Sequence, residues 1–467
     1  MQRKPSALSE ATLERGLNAL VWDGVFSQAI GVLTGGTLLT GCALEFGASP
    51  AFIGILVAVP FFAQFAHLPA IVLVEKLRRR RAICLAATSL ARLMLLPLLA
   101  VPFVSDRSLA LGLLLAAFAV LTPLGAIGGC SWMSWTCDLV PHHRLGQVFG
   151  RRQLRANVSA VAAGLLGGAI VSAWATLHPG WRVGGYVGVF AVAIAAALAS
   201  TWCLTRMPDV PMPAPKPITL PALFARPFRE ANFRRVMIFL GSWQFVANLA
   251  LPFFPVYLVQ HLHYRISTAI ALTIIGQFAS VAAVPFWARL SDRWSNKTAI
   301  LLSAPVFLIC LFGWALAVPW VPNPISFPLI VAVQLILGAA TAGLDLACGN
   351  IALKLAPKGE ATVFLGANGV VKSLCAGCAP IAGGALVARL ADWGGIGSAA
   401  WPMPIWQLLF VAAGLLGALA LIQLVRIEEW GEVPVTVLLR SAQRAASVSV
   451  PAAEQDFLPE TTNLPAA

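Results

Sequence analysis

Residues 139–150, LVPHHRLGQVFG, lie over residues 355–366, LAPKGEATVFLG, when the chain is shifted on itself by 216 positions. The same shift places Pro141 over Pro357, Gly167-Gly168-Ala169 over Gly383-Gly384-Ala385, and Gln28 over Gln244. One further residue of shift puts LVEK, 73–76, over LSDR, 290–293. An internal match of this length means that one structural unit is built twice, so the fold is read as two halves.

Each copy is apolar. The chain has 467 residues, of which 59% are hydrophobic and 11% charged. That leaves too little polar surface to cover a soluble globule, and lipid is the solvent that fits. Twelve apolar runs, each longer than the roughly 20 residues that a helix needs to cross a bilayer, occupy residues 18–44, 50–74, 82–104, 108–139, 156–177, 184–205, 236–260, 267–288, 298–320, 326–353, 361–388 and 403–425. Runs of this length without strand-like alternation satisfy their backbones as helices. The fold class is therefore an all-α membrane protein of two six-helix bundles.

The net charge of +13 would suit nucleic acid if it formed one patch. Instead the basic residues alternate along the chain. Lys76 with Arg78 to Arg81, Arg144 with Arg151, Arg152 and Arg155, and Arg289 with Arg293 and Lys297 flank every second connection, and the intervening connections keep little beyond Arg107, Arg182, Arg265 and Arg389. By the positive-inside bias both termini face the cytoplasm, and a bacterial inner membrane is the expected location. Residues 1–17 form a charged cytoplasmic N-terminus, 18–205 the first bundle, 206–235 a proline-rich cytoplasmic linker and 236–426 the second bundle. Residues 427–467, rich in Ala, Ser, Thr and Pro, are expected to be a disordered tail. All nine cysteines fall in or beside apolar runs and are expected as packing residues; Cys375 and Cys378 make a C-x-x-C inside a helix. No Walker motif occurs, no nucleic-acid or metal role is expected, and no cofactor is called for.

The connection between the eighth and ninth runs reads ARLSDRWSNK, 288–297, and that between the second and third reads IVLVEKLRRR, 71–80. Here the chain resembles the major facilitator superfamily, whose corresponding loop carries G-x-L-x-D-R-x-G-R-[RK]. Leu290, Asp292 and Arg293 match, while Ala288 and Ser295 replace glycines; the first copy keeps Leu73, Glu75 and Lys76, with Ile71 and Arg78 at the glycine places. The resemblance extends from Leu17 to Arg426. It implies a cytoplasmic gate carried by Asp292 and Arg293, with Glu75 and Lys76 as its second copy and Arg151 and Arg152 as partners. It also implies a secondary transporter working as a monomer on a small-molecule solute, with protons or sodium as coupling ions. Two signatures of the family's drug exporters are mostly missing. The fourth run has no arginine, and the fifth reads Ala163-Gly164-Leu165-Leu166-Gly167-Gly168 without the proline that Pro380 supplies in the eleventh. Drug efflux is the weaker transport reading, and a membrane-embedded enzyme or a transport-dead sensor is the alternative from another class.

Ionisable residues inside hydrocarbon are functional candidates by default. Asp345 and Lys372 sit at matching depth on consecutive runs, where a mutual ion pair would ease insertion. Asp23 is a proton carrier, a gate residue or an interfacial acid. His67 shares a helix face with Gln64, and an imidazole is a side chain suited to proton coupling. Arg92 lies mid-span in the third run and is expected to hold another helix. By the resemblance, Gln28 and Gln244 occupy symmetric places on cavity-lining helices. Asn248 and Trp243 beside the second of them, together with Asn157, Gln277 and Asn368, complete an amphipathic solute cavity.

Overall fold

A computed structural model describes residues 9–141, 144–210, 226–316, 323–357, 361–391, 396–398, 401–403 and 405–429. Twelve helices among the described residues are long and apolar enough to cross a bilayer. In the first half they are α1 (Glu10–Glu45), α2 (Pro50–Leu77), α3 (Arg80–Phe103), α4 (Arg107–Leu139), α5 (Gln147–Leu177) and α6 (Pro179–Arg206). In the second they are α7 (Ala231–His261), α8 (Ile266–Arg293), α9 (Asn296–Ala315), α10 (Phe327–Leu355), α11 (Val363–Leu390) and α12 (Ile405–Val425). A short antiparallel hairpin, β1 (Ile396–Ser398) and β2 (Trp401–Met403), is an addition to the expected all-helical fold.

Local chemistry sets the helix ends. Ser49 caps α2 by accepting the Phe52 N–H at 3.2 Å, with Pro50 at the first helical position where its missing donor does no harm. Asp106 caps α4 through the N–H groups of Ser108 and Leu109. The sequence places the start of α5 at residue 156, yet the helix begins about two and a half turns earlier, at Gln147. GQVFGRRQLRA contains no proline, and its Arg, Gln, Leu and Ala are strong helix formers, so the helix continues past the apolar stretch. α1 is interrupted at Thr34, after which Gly36 takes φ +50°, a conformation only glycine accepts readily. The second half extends past Arg426: Ile427 and Glu429 are buried, which shortens the expected tail at its start. Residues 430–467, and 211–225 of the linker, lie outside the described residues.

Within the first half α1 packs along α5 and α6, and α3 along α4; within the second, α7 packs along α11 and α12, and α10 along α8 and α9. Between halves α2 runs along α11, and α5 along α8. These two pairs are repeat equivalents with their partners exchanged, as a two-fold relation between parallel repeats requires. Leu109, Leu198, Ile309 and Leu419 project outward, an apolar exterior suited to acyl chains.

The halves meet backbone to backbone at the end of the bundle opposite Glu10 and Val425. A Cβ on Gly54 of α2 would stand 2.2 Å from the Pro380 carbonyl oxygen, and one on Gly384 of α11 would stand 2.4 Å from the Pro50 oxygen. Backbone therefore meets backbone, and only glycine fits. Gly164 and Gly168 of α5 likewise face Ile274 and Ile270 of α8. The small residues of the repeated motif thus serve close helix approach. Replacing Gly384 with leucine is expected to force this end apart: spin labels at Arg107 and Arg265, one on each half, should separate relative to the same labels on the otherwise unchanged chain. An unchanged distance distribution would show that the glycine contact does not hold the seam.

Candidate solute cavity and buried charge network

Just inside the seam, a cavity of about 420 Å³ opens between α1 and α5 of one half and α8 of the other. Gln28 and Thr37 line it from the first half; Thr273 and Gln277 line it from the second, among Val32, Val161, Ile270 and Ile274. The break in α1 puts Gly35 and Gly36 on its wall, so the turn that only glycine permits shapes the space. Thr37 and Thr273 join hydroxyls across the halves at 3.2 Å. A neighbouring cavity of about 350 Å³ shares Gly36, Thr37 and Thr273 and reaches Thr40, Phe254, Trp314 and Gln334. Volumes of this size with apolar walls and a few convergent amides suit a small organic solute. The Gln334 Oε1 is buried without a hydrogen-bond partner. The sequence reading passed over this residue, because it picked out Gln28 by its symmetry with Gln244 and not as a lone amide in an apolar run.

The other expected cavity residues are distributed differently. Asn248 donates to the Gln244 carbonyl at 2.9 Å and to its Oε1 at 3.1 Å, a local pair on α7. Gln153 donates to Asn157 at 2.8 Å along α5. Asn368 is buried, its Oδ1 without a partner. Trp243 departs from expectation: it packs against Phe239 and Phe307 in the core of the second half, because a bulky indole one residue from Gln244 points about 100° away from it.

Asp23 is 3% exposed, enclosed by protein rather than open to solvent. Its Oδ1 accepts from the Ser200 hydroxyl at 2.6 Å and from Ser27 at 3.2 Å. Arg92 of α3 donates to Ser200 Oγ at 2.6 Å and also to Thr201, so Ser200 joins the carboxylate and the guanidinium without their touching. From α5, Arg152 lies across Gly24, where a Cβ would meet its side chain at 2.6 Å, and its guanidinium stacks 4.5 Å from the Trp132 ring. Four helices thus converge on one carboxylate whose neighbour Ser27 adjoins the cavity residue Gln28. A buried carboxylate with two arginines nearby is a place where a proton or an anionic group can change the local charge balance.

The second-half pair is weaker than expected. No salt bridge within 4.0 Å joins Asp345 and Lys372. α10 and α11 touch only briefly, and Asp345 is exposed. His67 makes a local bond, its Nδ1 lying 2.9 Å from the Gln64 carbonyl at a tightened turn ahead of Pro69.

Among the expected gate residues, the recorded contacts stay within one half. Glu75 lies 4.0 Å from Arg78, and the Arg293 guanidinium stands 5.9 Å from the ring of its neighbour Trp294. Arg151, Asp292 and Arg293 are exposed, and Lys76 ends α2. Arg78 occupies one of the expected glycine places and takes φ +53°, donating its N–H to the Val74 oxygen. The left-handed turn survives without glycine at a strain of roughly 1–2 kcal/mol.

At the same end of the bundle each half has an ionic clamp that the sequence reading missed. In the first, Arg80 is 3% exposed, pairs with Asp138 at 2.6 Å and donates to the Val210 carbonyl. In the second, the buried Glu429 caps α9, accepting the N–H of Asn296 at 3.2 Å and of Lys297 at 2.7 Å. Lys354 at the end of α10 completes the clamp at 2.9 Å, while the Lys297 amine donates to the Ile427 carbonyl. Burial pushes the Glu429 carboxyl up, but the bonds from Lys354, Lys297 and Asn296 outweigh it and hold its pKa below the ordinary value. Acidic residues directly after the last apolar run were the available signal. No group of three or more His, Cys, Asp or Glu side chains gathers as a metal site among the described residues.

A family model described as Major Facilitator Superfamily matches residues 24–372. No curated protein sequence matches the chain. Among solved structures, a mutant of the nucleoside transporter NupG superposes with a TM-score of 0.65 at 13% identity, covering 89% of this chain and 100% of that one. The xylose transporter XylE from E. coli, in an inward open conformation, gives 0.61 at 14% identity over 90% and 96% of the two chains. A bacterial homolog of the human lysosomal transporter Spinster, inward-facing and occupied, gives 0.63 at 14% over 92% and 100%. At these identities the likeness is one of fold.

Proposed function

The chain belongs to the major facilitator superfamily, and on that premise we propose that it is a secondary transporter moving a small organic solute by alternating access, driven by a proton gradient. The observation that carries this reading is the cavity into which Gln28 and Gln277 project from opposite halves. A solute held by amides from both sides couples its own binding to the relation between the halves. Among the described residues, the end of the bundle opposite Glu10 and Val425 is drawn tight by backbone contact between the halves, and the positive-inside bias makes the other end cytoplasmic. We therefore read this state as inward-facing, in the cytoplasmic membrane of a bacterium. The Asp23 network, one residue from Gln28, is the proton site in this scheme, with Arg92 and Arg152 balancing its charge.

The test is uptake into proteoliposomes across sugars, nucleosides, organic acids, peptides and lipophilic cations, with and without a pH gradient. Accumulation of one class that collapses when the gradient is dissipated supports the reading; a transformed product without accumulation would replace it with an enzyme. For the solute so found, Gln28→Ala and Gln277→Ala should each raise the half-saturating concentration about 3–10-fold, the loss of one hydrogen bond worth roughly 0.5–1.5 kcal/mol. Unchanged values for both variants would move the solute elsewhere.

A further inference from the structure

On the outer face of the first half, α1 and α6 part near the terminus end and leave a groove of about 580 Å³. Arg15 and Arg206 stand at its mouth, and Trp22, Phe26 and Trp202 wall its deeper part. We propose that this groove binds an anionic phospholipid of the cytoplasmic leaflet, the two guanidinium groups holding the phosphate and the aromatic walls holding the upper acyl chain. The leaflet, though not the chemistry, rests on the topology proposed above.

Helical geometry separates the groove from the solute cavity. Phe26 and Gln28 point about 200° apart around α1 at 100° per residue, so the face bearing Phe26 looks outward when Gln28 looks in. Arg15, Trp22 and Phe26 fall on one stripe at spacings of seven and four, and Trp202 and Arg206 are one turn apart on α6. Because the helices are antiparallel, both cations come out at the same end with aromatic carbon below them. That order, charge at the polar boundary and ring surface deeper, is the profile of a lipid and not of a freely soluble ion.

The charge is available. Among the described residues, Arg15 bonds helix oxygens of its own, the Ala11 carbonyl at 3.1 Å and Thr12 at 3.5 Å. Arg206 lies 4.6 Å over the Trp202 ring. The nearest α1 carboxylate towards the end, Glu14, is taken by Arg144 at 2.5 Å. A third cation, Arg155, stands 5.9 Å from the Trp22 ring. Trp22 and Trp202 are 50% and 59% exposed, large indole surfaces that water would leave bare and an acyl chain would cover.

The test is lipid retention by the full-length protein in native mass spectrometry, after purification in detergent with equimolar phosphatidylglycerol and phosphatidylcholine of the same chains. Wild type should retain phosphatidylglycerol preferentially. Arg15→Gln with Arg206→Gln should weaken that retention about thirtyfold, the loss of two arginines at a membrane surface, and Arg15→Lys with Arg206→Lys should keep most of it. Arg229→Gln, outside the groove, should change nothing. Equal retention of both lipids by wild type, or wild-type selectivity in the double glutamine variant, would overturn the proposal. Competition by soluble glycerol phosphate at concentrations matching the lipid would reassign the groove to a soluble anion. If the double variant does not fold, Trp202→Leu, on an exposed face, replaces it and should lower retention with charge intact; full retention there would again overturn it. No solute or gradient enters the measurement, so it fails or succeeds apart from the transport reading.

Discussion

Glu429→Ala should lower the stability of the folded protein in detergent by about 3 kcal/mol. Removing one partner of a buried ion pair leaves the others uncompensated, at roughly 3–5 kcal/mol. The lower end applies because the Lys354 side chain is 40% exposed and can turn to water, whereas the Glu429 side chain is fully buried. The N–H groups of Asn296 and Lys297 would lose their acceptor as well. The carboxylate also fixes the pH dependence. Its folded pKa lies below the ordinary 4.5, so its contribution is present above the unfolded value and is lost as pH falls through the folded one. Between pH 7 and 5 the gap in melting temperature between wild type and Glu429→Gln should stay constant, and it should narrow as the pH drops below about 4.5. A gap that widened on acidification would contradict a depressed pKa.

Asp23→Asn should reduce gradient-driven accumulation to the level seen without a pH gradient, while solute exchange between equal pools continues. Asparagine keeps an acceptor for Ser200 and Ser27 but takes no proton, so a step that needs protonation and its reversal stops, and a step that needs only the cavity does not. Asp23→Glu should restore part of the driven uptake. Loss of both driven uptake and exchange in a variant that remains folded would make Asp23 a structural partner of Arg92. Driven uptake at the wild-type level in Asp23→Asn would remove it from coupling altogether. The same pair of assays applied to Asp345→Asn and Lys372→Gln should leave more of the driven uptake intact, since those side chains make no salt bridge with each other.

What the sequence disclosed and what it withheld divide along a geometric line. Depth along a helix can be counted in residues. The twelve spans and the doubled bundle followed from such counting. Rotation about a helix axis is not written in an apolar run, because every neighbour is apolar. So Trp243, adjacent to a polar face, turned out to lie in a core, and Asp345 and Lys372 matched in depth without meeting. Asp23 was legible as an anomalous acid, but its bond to Ser200 spans 177 positions and depends on how α1, α3 and α6 converge. Glu429 was hidden for a different reason: it follows the last span, where composition suggests a tail, and only its fit to the start of α9 makes it part of the bundle. Ser295 and Arg78, at places where the family pattern has glycine, show a milder version. Ser295 instead bonds Thr298 at 2.8 Å, while Arg78 simply bears the strained turn.

The contact of Gly54 with Pro380, and of Gly384 with Pro50, is also a matter of mechanics. Made of main chain on both sides, it has no rotamers to yield, so in the alternating-access cycle proposed above it would serve the halves as a fulcrum with little give. It sits near one end of α2, and the lever arm from Gly54 to Leu77 is about 34 Å at 1.5 Å per residue. A tilt of about 10° at that pivot sweeps the far end through about 6 Å, a distance comparable to the width of a sugar ring or a nucleobase.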